Sequence, residues 1–258
     1  MTTPAFPARR LATLGLLGLA LPPLQAAPGR SLRMVRSEWP PYLYTTGGRQ
    51  GGLDVELIEA VLQRAGCKLV MVDETPRRRR IQMIAAGELD LVPAATPAEH
   101  RQAEVWFTAP YRQEWFGLLS LASRQQEFAR LNSFSELITR RLTVLAPKFR
   151  MGGEFDSLVE RLSAARLIEH YDSARKGLAM LQRDRGALIL GDIPTQQFLG
   201  QAEGTPLTRV PLPEQREPVS LMLSRQTVSA ELLAQINAAI AALEADGTLP
   251  VIRKRYGF

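Results

Sequence analysis

Few residues in this 258-residue chain have the type and setting to do chemistry, and Arg101 is the first of them. It follows Thr96-Pro97-Ala98-Glu99, which reads as a helix start. Thr96 is the cap, proline takes the first helical position, and Glu99 closes a capping box. Long helical side chains lean toward the N-terminus, so the guanidinium is expected over that helix start, where free backbone N–H groups already favour an anion. The competing reading is a surface arginine paired with Glu99 or Glu104. Asp192 ends the apolar run "GALILGD" and precedes "IPTQQFL", a setting that suits a helix N-cap. Trp39 and Tyr42 stand in "SEWPPYLY", a loop stiffened by its prolines, where aromatic faces either pack in a core or meet a cation.

Other chemistries lack their residues. His100 and His170 are isolated in sequence, no Cys/His/Asp cluster has metal-ligand spacing, and no Ser-His-Asp order or nucleophile elbow occurs. "GGRQGG" lacks the strand-before, helix-after setting of a phosphate loop. No catalytic residue, metal or cofactor is expected. "PRRRRIQMI" invites a nucleic-acid or membrane partner but reads as a solvated helix start. The net charge of +6 is carried by 28 Arg against 4 Lys, with no basic stripe interleaved with aromatics, so no nucleic acid is expected. Cys67 is the only cysteine, which excludes an internal disulfide; it reads as a buried, inert thiol.

The elements that must position these residues begin after an export signal over residues 1–26. Arg9 and Arg10 precede the short apolar run "LATLGLLGLALPPL", and Gln25-Ala26-Ala27 offers small residues for cleavage after Ala26 or Ala27. Pro22 and Pro23 break the run, which is too short to span a bilayer. Export by the general secretory route, or by a twin-arginine route, to the periplasm is expected, with no membrane span in the mature chain. Beyond it, "LRMVRS", "KLVMVD" and "ELDLVPAA" read as strands, separated by a helix from Leu53 to about Ala65 and a second over "RRIQMIAAG". From about residue 132 the pattern starts again with "FSELITRR", "LTVLA", "GEFDSLVERLSAA", "RLIEHY", "SARKGLAMLQRD" and "GALILGD". Such alternation implies α/β blocks with mostly parallel sheets, whose ligands bind beyond the carboxyl ends of the strands. Those ends are residues 37–42, 94–96, 146–153 and 191–193.

The stretches "GGLDVELIEAVLQRAG", "AAGELDLVPAATPAEHRQAEVWFTAPY", "GALILGD" and "INAAIAALEADGTLPVIRKRYG" resemble, in order and over the whole mature chain, the extracytoplasmic solute-binding proteins of polar amino-acid ABC importers (family 3 type). The resemblance implies an α/β, two-lobe periplasmic-binding-protein fold (type II). Each lobe would be a mostly parallel sheet flanked by helices, joined by two hinge crossings. Lobe 1 would span residues 31–121 and 218–258, and lobe 2 residues 122–217. It further implies a monomer that takes a small, amino-acid-like zwitterionic or anionic ligand by lobe closure and passes it to an ABC permease.

Residue by residue, the resemblance gives Arg101 the ligand carboxylate and Asp192 the ligand ammonium. Trp39 and Tyr42 would flank the ligand side chain, Thr96 would touch it, and Arg150, Met151 and Gly152 would meet the carboxylate from the second lobe. Arg79 matches an arginine near the cleft of members that share Trp-Pro-Pro-Tyr. Three departures bear on specificity. Pro93 and Ala94 stand where hydroxyl residues or a free amide are common, Met151 replaces a small hydroxyl residue, and Lys148 and Arg150 add positive charge. The alternatives are a dehydratase on the same fold, for which Glu38, Glu99, His100 or His170 would have to act as general acid, and a stand-alone ligand sensor.

Overall fold

The computed structural model describes residues 29–149 and 151–258, so the expected export signal and Arg150 lie outside the described residues. The chain opens with β1 (Arg30–Val35), a hairpin of β2 (Tyr44–Thr46) and β3 (Arg49–Gly51), and α1 (Leu53–Arg64). Leu53, Leu57, Ile58, Val61 and Leu62 recur at helical spacing and are all buried. Each contributes about 1.5–3 kcal/mol over an exposed position. Next come β4 (Cys67–Val72), α2 (Arg77–Ala85), β5 (Leu91–Ala95), β6 (Val105–Phe107) and the long β7 (Arg112–Leu121). β1 and β4 pair in parallel, as a strand–helix–strand unit requires.

The second block runs through α3 (Gln125–Phe128), α4 (Phe134–Thr139), β8 (Val144–Pro147), α5 (Gly153–Ala164), β9 (Ile168–Tyr171), α6 (Ala174–Gln182), β10 (Leu188–Asp192) and α7 (Ile193–Ala202). β9, β8 and β10 lie side by side in parallel, and β7 closes on β10 in the antiparallel sense. The chain then returns through β11 (Leu207–Arg209) and β12 (Gln215–Ser224) and finishes in α8 (Ala230–Ala245) and α9 (Thr248–Arg255).

The ten-residue strands β7 and β12 hold the two blocks together. Arg112–Phe116 pairs antiparallel with Gln215–Val219. Beyond this shared stretch the strands part: residues 117–119 of β7 go to β10, while residues 222–224 of β12 go to β6. The cores segregate accordingly. Tyr111 and Val219 belong with Leu32, Leu57 and Ile236, whereas Phe116 and Leu118 pack with Phe155 and Leu190. Trp115 and Leu119, on the opposite face of β7, pack with Leu145, Leu178 and Ile193. The architecture is the two-lobe type II fold with two crossings. Leu118 and Leu119 of β7 pack in the cores of the second block.

The Gly-rich "TTGGRQGG" forms the β2–β3 hairpin, with Gly47 and Gly48 at φ 58° and 78° as a tight two-residue hairpin turn demands. One local expectation changes. The helix expected from Thr96 is absent. Only a single 3-10 turn over Glu99–Arg101 forms, preceded by Ala98 without a side-chain cap, and Thr96 is exposed. "TPAEHRQAE" has the capping letters but no apolar stripe, and none of the turn's residues is buried. Capping alone does not carry so short a helix.

Candidate functional site

The loop bearing Trp39 and Tyr42 is built onto the start of α1. The Leu53 and Asp54 N–H groups donate to the Pro41 and Tyr42 carbonyls at 2.9 and 3.0 Å, taking two of the helix's free donors. Gly52 permits this approach: a Cβ there would lie 2.4 Å from the Tyr42 carbonyl oxygen, and its φ is 111°. Asp54, in the first turn of α1, is thereby brought beside Tyr42.

Between them lies Arg112, the first residue of β7. Its Nε donates to Asp54 Oδ1 at 2.5 Å and its Nη2 to Oδ2 at 3.0 Å, and both side chains have 0% exposure. The guanidinium stands 4.0 Å from the Tyr42 ring centre, 5.4 Å from Trp39 and 5.7 Å from Tyr111. Burial pulls the Arg112 pKa down, but the Asp54 charge leads the effects that hold it well above its ordinary value. The Tyr111 hydroxyl accepts from the Ala94 N–H at 3.1 Å, tying the end of β5 to this cluster.

The cluster reaches across the lobes through Tyr42. Its hydroxyl donates to Asp192 Oδ2 at 2.8 Å, while Asp192 Oδ1 caps α7 by accepting the Thr195 N–H at 2.9 Å. Asp192 thus performs the N-cap role its position suggests, and its other oxygen faces the opposite lobe. Burial raises the Asp192 carboxyl pKa, against the hydrogen bonds from Thr195 and Tyr42 and the charge of Arg112. Burial, and then the Asp192 charge, push the Tyr42 phenol well above its usual range. At the rim of the same junction, Tyr44 of β2 packs against Phe198 of α7 with ring centres 5.4 Å apart.

Trp39, Tyr42 and Asp192 are therefore brought together. Arg101 stands on the connection leaving β5, half-buried, and its guanidinium forms no ion pair or hydrogen bond among the described residues. It does not pair with Glu99 or Glu104. Thr96 lies on the same connection. Met151 is buried; its N–H donates to Asp156 Oδ1 at 3.0 Å and its carbonyl accepts from Gln215 Nε2 of β12 at 2.9 Å. Gly152, at φ 82°, starts α5. Lys148 is held by Asp172 at 2.7 Å.

Asp54, Arg112 and Tyr111 were not singled out from sequence. A signal existed: Asp54 shares the face of α1 that carries Ile58 and Val61, and a charge on an apolar stripe requires a buried partner.

Residues 33–258 match the family described as bacterial extracellular solute-binding proteins, family 3. No curated protein matches the chain. Among solved structures it is similar to the second substrate-binding domain of GlnP from Lactococcus lactis in open conformation, at 16% identity and TM-score 0.68, covering 93% of this chain and 98% of that one. It is also similar to the arginine-, lysine-, histidine-binding protein ArtJ from Geobacillus stearothermophilus, at 15% identity and TM-score 0.65, covering 88% and 94%. A histidine kinase sensor domain with similarity to periplasmic binding proteins aligns at 17% identity and TM-score 0.65, covering 88% and 95%.

Proposed function

Because this chain belongs to the bacterial extracellular solute-binding proteins, family 3, we propose that it captures a small zwitterionic or anionic, amino-acid-like solute between its lobes and delivers it to an ABC importer. The capture is extracytoplasmic and involves no chemical conversion. One observation carries the reading. Tyr42 and Asp192 stand on separately cored lobes, and their hydrogen bond exists only while the lobes are together.

On this reading Arg101, on the first lobe, supplies the anion contact. Its guanidinium is half-buried and has no partner among the described residues, and such a group binds a carboxylate through two parallel hydrogen bonds. Asp192 and the Met151–Gly152 turn present the second lobe. A solute that touches both lobes makes its full contacts only when they are closed, and this difference shifts the population toward closure. Moving from mostly open to mostly closed takes about 5.5 kcal/mol of differential binding.

The test is a thermal-shift screen of the purified protein against amino acids, polyamines, organic acids and sugars, followed by small-angle scattering with the solute that stabilises it. The radius of gyration is expected to fall, and mass spectrometry to recover the solute unchanged. Failure of every solute class to stabilise the chain overturns the reading. A converted solute replaces it with an enzyme.

A further inference from the structure

Solute capture at this junction, as proposed above, leaves the charge pattern of the solute open, and the partners already present at the junction narrow it. Two carboxylates are buried here. Asp54 has both oxygens on Arg112, at 2.5 and 3.0 Å. Asp192 has one oxygen on the Thr195 N–H and the other on the Tyr42 hydroxyl, at 2.9 and 2.8 Å. The aromatic faces are taken as well, since the Arg112 guanidinium lies against Tyr42 and Trp39 at 4.0 and 5.4 Å. Carboxylates and aromatic faces are the groups that receive an ammonium. At this junction they already hold the chain's own guanidinium and phenol.

Tyr42 is not placed to withdraw. It has no exposed surface, its ring lies 4.5 Å from Trp39 and 5.7 Å from Phe258, and its carbonyl holds the Asp54 N–H at the start of α1. In the closed arrangement an ammonium would compete for Asp192 with a hydroxyl whose backbone and ring are both fixed on the first lobe. The cationic side differs. Arg101 follows the carboxyl end of β5, which the Ala94–Tyr111 hydrogen bond ties to the same cluster, and its guanidinium has no partner among the described residues. The carboxyl ends of the strands are where ligands of such sheets bind.

We propose that the solute is a small carboxylate anion without an α-ammonium, a keto acid or dicarboxylate and not an amino acid. Arg101 holds its carboxylate, and the Tyr42–Asp192 hydrogen bond excludes the ammonium. This rests on the reading of solute capture given above.

The experiment uses matched pairs that differ only at the amino group: glutamate with 2-oxoglutarate and glutarate, aspartate with succinate, alanine with pyruvate, and phenylalanine with phenylpyruvate. Affinity is measured by titration calorimetry on the purified protein. In every pair that binds, the member lacking the ammonium is expected to bind at least about tenfold tighter. Tyr42→Phe, which frees one oxygen of Asp192, is expected to narrow that gap about tenfold by improving the amino acid. Equal or tighter binding of the amino acid by the unaltered protein overturns the inference and leaves solute capture standing. If no pair binds while a sugar or polyamine stabilises the chain, the anion assignment falls. If nothing in the broader panel binds, solute capture falls with it.

Discussion

Replacing Asp54 by Asn isolates the buried charge at the junction. The substitution keeps the side-chain shape and leaves Arg112 with a neutral partner at 0% exposure. The guanidinium then retains the Gln113 carbonyl at 3.2 Å and the face of Tyr42, neither of which carries a negative charge. Stranding one member of a buried ion pair costs about 3–5 kcal/mol. Loss of the acid from the first turn of α1 adds about 0.3–1 kcal/mol. At about 2–4 °C per kcal/mol for a chain of this size, the melting temperature is expected to fall by roughly 7–24 °C. Urea unfolding followed by tryptophan fluorescence reads the same loss, because Trp39 lies beside Tyr42 in that core. The double variant Asp54→Leu with Arg112→Met removes both charges together and is expected to lose far less than the two single losses added. That coupling exceeds about 2 kcal/mol on this reasoning. A single-variant loss under about 1 kcal/mol, or a double variant that loses the full sum, refutes the claim that the pair is buried and mutually dependent.

Two further outcomes follow from the same geometry. Arg101→Ala is expected to leave melting unchanged within about 0.5 kcal/mol, because the guanidinium has no partner among the described residues. The same change should weaken solute binding by about 2–5 kcal/mol, roughly thirty- to several-thousand-fold, as calorimetry would report. Closure should also depend on pH through Asp192, whose buried carboxyl is raised above its ordinary range near 3.9. A raised acid favours the closed, protonated form at low pH and withdraws that advantage as pH rises through the raised value. Scattering is expected to show progressive opening as pH climbs from about 4, and Asp192→Asn is expected to remove the dependence. A radius that shrinks with rising pH would reverse the sign.

What the sequence made legible was the repetition of local grammar. Apolar runs placed the strands, and the stripe from Leu53 to Leu62 placed α1. The position of Asp192 between an apolar strand and "IPTQQFL" gave its cap on α7. Two kinds of information were not local. The capping letters at Thr96 promised a helix that tertiary packing does not support, because nothing between Pro97 and Glu104 faces a core. The Asp54–Arg112 pair joins residues 58 positions apart, and Arg112 opens "RQEWF" in a way that reads as a solvated strand end. Burial of an arginine becomes visible only once β7 is known to cross between lobes at that residue.

The junction also explains why recognition and architecture cannot be separated residue by residue here. The starts of three elements converge on it: α1 through Tyr42 and Asp54, β7 through Arg112, and α7 through Asp192. Tyr42 acts in two places, its carbonyl on α1 and its hydroxyl on the opposite lobe. The backbone role survives any side chain that fits the aromatic cluster, whereas the hydroxyl role belongs to tyrosine alone. Phenylalanine therefore preserves the fold and alters the junction, while a small residue also leaves a cavity and costs about 3–5 kcal/mol in the core. Selectivity at such a site changes most readily through single polar atoms, because the framework that aims them is the framework that folds the lobe.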